Sequence, residues 1–346
     1  MSDSLDAPAQ GALPPPAVSL TTPTGLQSID DLARRRRIVL VLNAVTYGLM
    51  LWWAGWILSA GGWTVTDVIL LVCFALGTPW AVLGFWNALI GLWLLHVRHK
   101  DAWTEVAPYA PAGDQPVPLR IKTAVFMTLR NEDPERAIQR LRIVKESLDR
   151  TGEGGAFSYF ILSDTNAAAV AAKEEEAVAA WKEANPDRER IVYRRRSDNT
   201  GYKAGNVRDF CARWGDRFTL MLPLDADSLM SGTEIVRLVR MMQAHPKIGI
   251  LQSLVVGMPS SSAFARIFQF GMRHGMRSYT MGQAWWVGDC GPFWGHNALV
   301  RIQPFHEQCD LPILPGKPPL GGHVLSHDQV EATLMRRAGY EVRVLP

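Results

Sequence analysis

Two long stretches of the chain, residues 38–66 and 68–95, contain no Asp, Glu, Lys or Arg. Each is longer than the roughly 20 apolar residues that cross a bilayer core of about 30 Å. The pattern predicts two membrane-spanning helices, over about 38–60 and 69–95, within a hairpin at 34–100. Trp52, Trp53, Trp56, Trp63 and Trp80 suit the aromatic belts of such helices, whereas a helical hairpin buried in a soluble core is the competing reading. The first apolar run follows a long polar stretch, which argues against a cleavable signal peptide. Arg34 to Arg37 precede the first run and Arg98, His99 and Lys100 follow the second, while the link near Asp67 has no basic residue. By the positive-inside rule, both ends of the hairpin and the domain after it face the cytoplasm.

Beyond about residue 121 the period changes to short apolar, β-rich runs alternating with helical stretches, the signature of parallel βαβ units. Strands are expected at 123–129, 157–164, about 190–195, 218–224 and 249–256, and helices at 134–150, about 166–184 and from 329 onward. Asp133-Pro134-Glu135 reads as a helix start, with Pro in the first turn and acid at the positive end of the dipole. The apolar positions Phe264, Ile267, Phe268, Met272 and Met276 recur at helical spacing. Such a stripe belongs to a core, or alternatively to a helix lying on a membrane surface. Residues 1–33, rich in Pro, Ala, Ser, Thr and Asp, read as a disordered cytoplasmic tail, and 101–120 as a proline-containing linker into the domain at 121–346.

With 346 residues, 48% of them hydrophobic, and 13 Trp, the chain is richer in apolar residues than an ordinary soluble enzyme, and the excess sits in the two long runs. A net charge of +3, without a basic stripe or interleaved aromatics, gives no footprint for nucleic acid. Cys73, Cys211, Cys290 and Cys309 form no CxxC pair, so neither disulfides nor zinc are indicated.

The chemistry concentrates where strands end. Phe218-Thr-Leu-Met-Leu-Pro-Leu runs directly into Asp225-Ala226-Asp227, delivering two hard oxygen donors to the carboxyl edge of a sheet, where Mg²⁺ or Mn²⁺ can bridge them to a diphosphate. Asp-x-Asp also occurs in solvated turns, so the pair counts only as part of a set. Asp164 ends the 157–164 run and suits a nucleobase or ribose, or else caps the helix after it. Arg130-Asn131-Glu132 forms the first loop at the same edge. Asn199-Thr-Gly-Tyr-Lys-Ala-Gly places Lys203 between Gly201 and Gly205, where its charge can meet a phosphate, although this is not a Walker A loop and a solvated turn is the plain alternative. Asp328 precedes a helical run and is either a general base or first-turn acid. Trp285, Trp286, Phe293 and Trp294 offer flat faces for a sugar acceptor or for core packing, and Trp286 and His296 are the acceptor-side candidates.

The ordered series Arg130-Asn131-Glu132, Ser163-Asp164, Lys203-Ala204-Gly205-Asn206, Asp225-Ala226-Asp227 and Ser326-His327-Asp328 resembles the family 2 glycosyltransferases of GT-A fold, the group that includes cellulose synthases. Met127 to Arg136, Trp285 to Asn297 and Leu325 to Ala332 resemble in particular its inner-membrane members that build the glucose backbone of osmoregulated periplasmic glucans. The resemblance implies an α/β fold with a Rossmann-like, mostly parallel sheet behind the transmembrane hairpin. It also implies UDP-glucose as donor, a growing β-glucan as acceptor, a lipid bilayer around the hairpin and a possible periplasmic glucan-processing partner. Carried over by position, Asp164 contacts the nucleotide, Lys203 the diphosphate, Asp225 and Asp227 the metal, with Asp227 the more direct ligand, and Asp328 is the base; Asn131 and Glu132 belong to the donor loop. One base and no enzyme nucleophile imply inversion at the anomeric carbon.

Processive members continue with a Gln-x-x-Arg-Trp motif and further spans, whereas this sequence stops at Pro346, so it reads as a truncated piece whose activity is open. An inactive nucleotide-sugar sensor or scaffold, and a family 2 transferase for another sugar or a lipid acceptor, remain as alternatives, because nothing in Asp-x-Asp distinguishes one hexose donor from another.

Overall fold

The computed structural model describes residues 26–98, 102–317 and 320–346. These fall into two compact units. One is built from Tyr109–Ser253 and Cys290–Val344; the other takes Leu254–Asp289 together with the described part of Thr24–Pro108, and the last two residues.

The second unit begins with helices α1 (Ile29–Ser59) and α2 (Val65–Trp93), both long and apolar enough to cross a membrane, followed by the short α3 (Ala102–Val106). Asp67 and Thr64 cap the start of α2 reciprocally, each side chain accepting from the other's backbone N–H, so the turn between the helices is closed by hydrogen bonds. Helix α1 starts inside the stretch expected to be a tail, while the expected disorder of residues 1–25 lies outside the described residues. The expected linker at 101–120 is folded over much of its length. Ala102, Val106, Tyr109 and Ala110 are buried, and in the first unit the Tyr109 hydroxyl donates to the Val344 carbonyl at 2.7 Å. Proline content signalled a break in periodicity there, and tertiary packing ordered the segment anyway.

The first unit carries β1 (Thr123–Leu129), α4 (Pro134–Asp149), β2 (Phe157–Ser163), α5 (Ala168–Glu183), β3 (Ile191–Arg195), α6 (Tyr202–Trp214), β4 (Leu220–Asp225), α7 (Gly232–Ala244) and β5 (Ile248–Ser253). After α8 (Ala263–Val287), which belongs to the second unit, it resumes with β6 (Ala298–Arg301), α9 (Ile302–Gln308), the two-residue strands β7 (Ile313–Leu314) and β8 (Gly322–His323), α10 (Asp328–Arg337) and β9 (Glu341–Leu345). Seven strands form one sheet in the order β3-β2-β1-β4-β6-β5-β9. The pairs β1/β2, β2/β3 and β1/β4 are parallel, and β6 runs antiparallel between β4 and β5. This is the mostly parallel α/β sheet that the alternation predicts.

Strands β1, β2 and β4 are near-continuous apolar runs because both of their faces are covered. Their register sets the chemistry: Thr128 lies opposite Asp225, and Leu129 opposite Ser163, so the residues after β1, β2 and β4 emerge at one edge. Beneath that edge Phe126 and Phe160 pack on Phe210 of α6, with ring centroids 4.9 and 5.0 Å apart. This packing fixes the helix that carries Lys203.

The stripe on α8 is not a core stripe. Phe264, Ile267 and Phe268 are 79, 74 and 61% exposed, so for the first half of the helix the core reading is corrected. Farther along, α8 crosses α2 so closely that a Cβ added at Gly91 would overlap the Ser278 carbonyl, and one at Gly282 the Asn87 carbonyl. In the same unit two arginines of the basic run inside α1 are committed to internal contacts. Arg35 bonds the Trp285 carbonyl at 3.2 Å and pairs with Glu105 at 3.0 Å; Arg36 bonds Asp289 at 2.7 Å.

Candidate active site

Three strand ends and two helix starts converge on a cavity of about 660 Å³ whose wall includes Arg130, Glu132, Asp164, Lys203, Asp225 and Asp227. Asp225 is held by a tight turn: its N–H donates to the Ser228 hydroxyl at 3.2 Å, and the Ser228 N–H donates to the Asp225 carbonyl at 2.9 Å. From α4, Arg140 donates to the Ala226 carbonyl at 2.8 Å, so the backbone between the two aspartates is held in place. Lys203 ion-pairs with one Asp225 oxygen, and His296 Nε2 stands 3.9 Å from the other.

The approach of Lys203 depends on its two glycines. Gly201 sits at φ +73°, and a Cβ at Gly205 would overlap the Thr200 carbonyl. Glu132 adds a third carboxylate. Burial raises its pKa first, and the charges of Asp225 and Asp227 add to this, against a lowering by the bond from the Arg130 N–H. Three hard oxygen donors that repel one another around one cavity fit a divalent cation of the Mg²⁺ or Mn²⁺ class, which relieves that repulsion.

Asp164 is 4% exposed and gives both oxygens to Arg196, at 2.7 and 2.6 Å. It is not a helix cap: α5 starts at Ala168, and its N-cap Ala167 has no side-chain capping bond. The Asn131 side-chain oxygen accepts from the N–H groups of Asn166 and Ala167 at 3.2 and 3.0 Å, with its backbone in the left-handed region at φ +58°. Asn131 thus closes the loop beside the site and is not among the residues that line the cavity.

Asp328 opens α10 without capping it. Its carboxyl packs against Gly295, where a Cβ would collide with it and where φ is +73°, so the backbone just before His296 passes directly under the proposed base. His327 Nδ1 lies 3.1 Å from Asp328 and 2.9 Å from Glu331. Burial alone would lower the His327 pKa, but the hydrogen bond and charge of Glu331, joined by Asp328, outweigh it and raise it. Glu331 is itself raised, first by burial. The ligand atoms of His327, Asp328 and Glu331 all lie within 4.8 Å of one another, close enough to share a cation or a proton.

Trp286 is not part of this gathering. It lies on α8 in the other unit, where its indole N–H donates to Asn87 at 2.8 Å. His296 does join, through Asp225. Sequence reasoning missed Arg196, Tyr202 and Glu331. A signal for Arg196 existed, since it directly follows a strand ending at the same edge; Glu331 sits four residues after His327, one helical turn on.

Fold and site together define an α/β domain with a carboxylate-lined cavity at the strand carboxyl ends, in a chain that also carries an apolar helical hairpin. Within that class the chain is similar over most of its length to proteins named glucans biosynthesis glucosyltransferase H. It is 40% identical to that of Shewanella sp. (strain ANA-3) over 288 residues, 83% of this chain and 38% of the relative. It is 39% identical to that of Shewanella baltica (strain OS155) over 310 residues, 89% of this chain and 41% of the relative. The chain therefore spans about 40% of the length of these curated relatives. Among solved structures, residues 1–349 of TarS from S. aureus match with a TM-score of 0.39 at 10% identity, covering 65% of this chain and 58% of that one. The mannosyltransferase Ktr4p from S. cerevisiae matches with a TM-score of 0.32 at 11% identity, covering 73% and 77%. No family model matches the chain.

Proposed function

We propose that this chain is the donor-binding part of a membrane-bound inverting glucosyltransferase that takes glucose from UDP-glucose and adds it to a growing β-glucan, in osmoregulated periplasmic glucan synthesis. The observation that carries the reading is the convergence of Glu132, Asp164, Lys203, Asp225 and Asp227 on one cavity, with Asp328 seated against Gly295 next to His296. The similarity to glucosyltransferase H proteins supports the same class of reaction.

In this reading Asp227 and Asp225 hold the cation, which supplies charge neutralisation for the departing diphosphate. Lys203, which ion-pairs with Asp225, would exchange that partner for the same phosphates. Asp164, with its oxygens on Arg196, orders the nucleotide end of the cavity. Asp328 takes the proton of the attacking glucan hydroxyl, and no enzyme nucleophile intervenes, so the linkage inverts from α in the donor to β in the product. The Arg-rich entry to α1 supports a cytoplasmic N-terminus and a catalytic unit on the same side, where nucleotide-sugars are made. A glucan-processing partner across the membrane would follow from the pathway.

The test is donor binding and transfer by the purified chain in detergent. Mn²⁺ with UDP is expected to raise its Tm, each alone much less, with about 2.7 kcal/mol of linkage at a ligand concentration of about 100 Kd, and Asp227→Ala is expected to remove the shift. UDP binding that ignores both the cation and this substitution would sink the assignment. Transfer of labelled glucose from a donor panel then separates UDP-glucose from other sugars.

A further inference from the structure

We infer that Tyr202 is the platform on which the donor's nucleobase stacks. The inference rests on the donor reading above and adds a residue to which neither the motif series nor the carboxylate geometry gives a role.

Tyr202 lines the same cavity as Asp164, Asp225 and Asp227, and the residue is 46% exposed. The Arg130 guanidinium stands over that ring, 5.9 Å from its centroid, and His323 meets it edge-on at 6.2 Å. A flat aromatic face with a planar cation above it, on the wall of a cavity whose other groups suit a diphosphate, is a receptor for a neutral planar ring.

The backbone carries the second observation. Tyr202 has φ +52°, a left-handed conformation that a bulky residue adopts only at a cost. Packing compensates only in part, because nearly half of the residue stays open. The conformation is instead held by Arg196, which donates to the Thr200 carbonyl at 3.2 Å and to the Tyr202 carbonyl at 3.0 Å while gripping Asp164 with the same guanidinium. Glycine would sit there without strain, and the preceding residue is already Gly201 at φ +73°. A position that structure alone would give to glycine, but that holds a half-exposed aromatic ring on the wall of a binding cavity, points to a role in contact with ligand. The pinning by Arg196 also couples the platform to Asp164, so the two groups at the nucleotide end are set by one side chain.

The experiment compares native chain, Tyr202→Phe and Tyr202→Gly in detergent with Mn²⁺, measuring affinity for UDP and for pyrophosphate, together with ligand-free Tm. Loss of one base-stacking contact corresponds to a factor of about 5 to 150 in affinity. Tyr202→Gly is expected to bind UDP at least five-fold more weakly, to bind pyrophosphate within two-fold of native, and to have a ligand-free Tm equal to or above native. Tyr202→Phe is expected to match native for both ligands. UDP affinity unchanged in Tyr202→Gly, an equal loss for UDP and pyrophosphate, or a Tyr202→Phe as weak as the glycine variant would each overturn the inference. A native chain that binds pyrophosphate but gains nothing from the uridine would overturn it too, and one that binds neither ligand would overturn the donor reading itself.

Discussion

At the scale of single residues, the site is a set of charges placed before any ligand arrives, and its titration behaviour can be read from their neighbours. His327 and Glu331 illustrate this. Both pKa values are raised, His327 by the Glu331 carboxylate against the pull of burial and Glu331 by burial itself, so both groups bind protons more readily folded than unfolded. Stability from His327 is therefore fully present below its unfolded value near 6.5 and is lost as pH rises through the higher folded one, whereas the contribution of Glu331 is complete only below its own unfolded value near 4.5 and is lost through its raised folded one. Glu331→Gln is expected to cost about 1–3 kcal/mol at pH 6 and distinctly less at pH 9, because it leaves a buried imidazole without its anionic partner. Thermal unfolding at the two pH values checks this, and an equal cost at both would show that packing, not proton linkage, holds the pair together. The acidic members of the site were legible in sequence because each terminates an apolar run: Asp164 after Phe157 to Ser163, Asp225 after Leu220 to Leu224. Their partners were not. Arg196 leaves only the mark of following a strand end and Glu331 only that of lying one turn beyond His327, and such spacing alone does not separate a solvated charge from one that grips Asp164 or His327.

At the scale of elements, periodicity located strands and helices well and their environments poorly. Alternation found β1, α4, β2 and β4 to within a residue or two, since buried parallel strands and capped helices leave local marks. It did not foresee that β6 inserts antiparallel between β4 and β5, because strand order is a long-range property that four residues, Ala298 to Arg301, do not encode locally. The α8 stripe was ambiguous for the same reason, and one side of it became decisive only through the crossing with α2. At that crossing Gly282 presses on the Asn87 carbonyl, while Gly275, two turns earlier on the same helix, has nothing within 4 Å of an added Cβ. Gly282→Ala must then displace backbone and is expected to cost about 1–3 kcal/mol. Gly275→Ala meets no obstacle and is expected to stabilise by up to about 1 kcal/mol through helix propensity. Melting the two variants side by side in detergent tests the crossing: a Gly282→Ala protein as stable as native would mean that α2 and α8 do not approach as closely as described.

At the scale of the whole molecule, the chain joins a soluble-type α/β sheet to helices whose apolar surface has no place in water. Trp52, Trp56, Leu76 and Trp80 are all more than 60% exposed, an arrangement stable only where lipid covers them. Sidedness then decides whether the cavity can meet cytoplasmic nucleotide-sugars, and the native cysteines report it. Cys290 is exposed in the first unit and Cys211 and Cys309 are buried there, whereas Cys73 lies in α2 within the apolar run. Thiolate chemistry needs water, so Cys73 in lipid and the two buried thiols react slowly, the latter with pKa values pushed up to about 12 by burial. A membrane-impermeant maleimide is therefore expected to label Cys290 in inverted inner-membrane vesicles and to leave right-side-out spheroplasts unlabelled, with Cys290→Ser abolishing the signal. Labelling of intact spheroplasts through Cys290 would put the carboxylate cavity on the side of the membrane where no nucleotide-sugar is made, and the assignment of a UDP-glucose donor could not survive it.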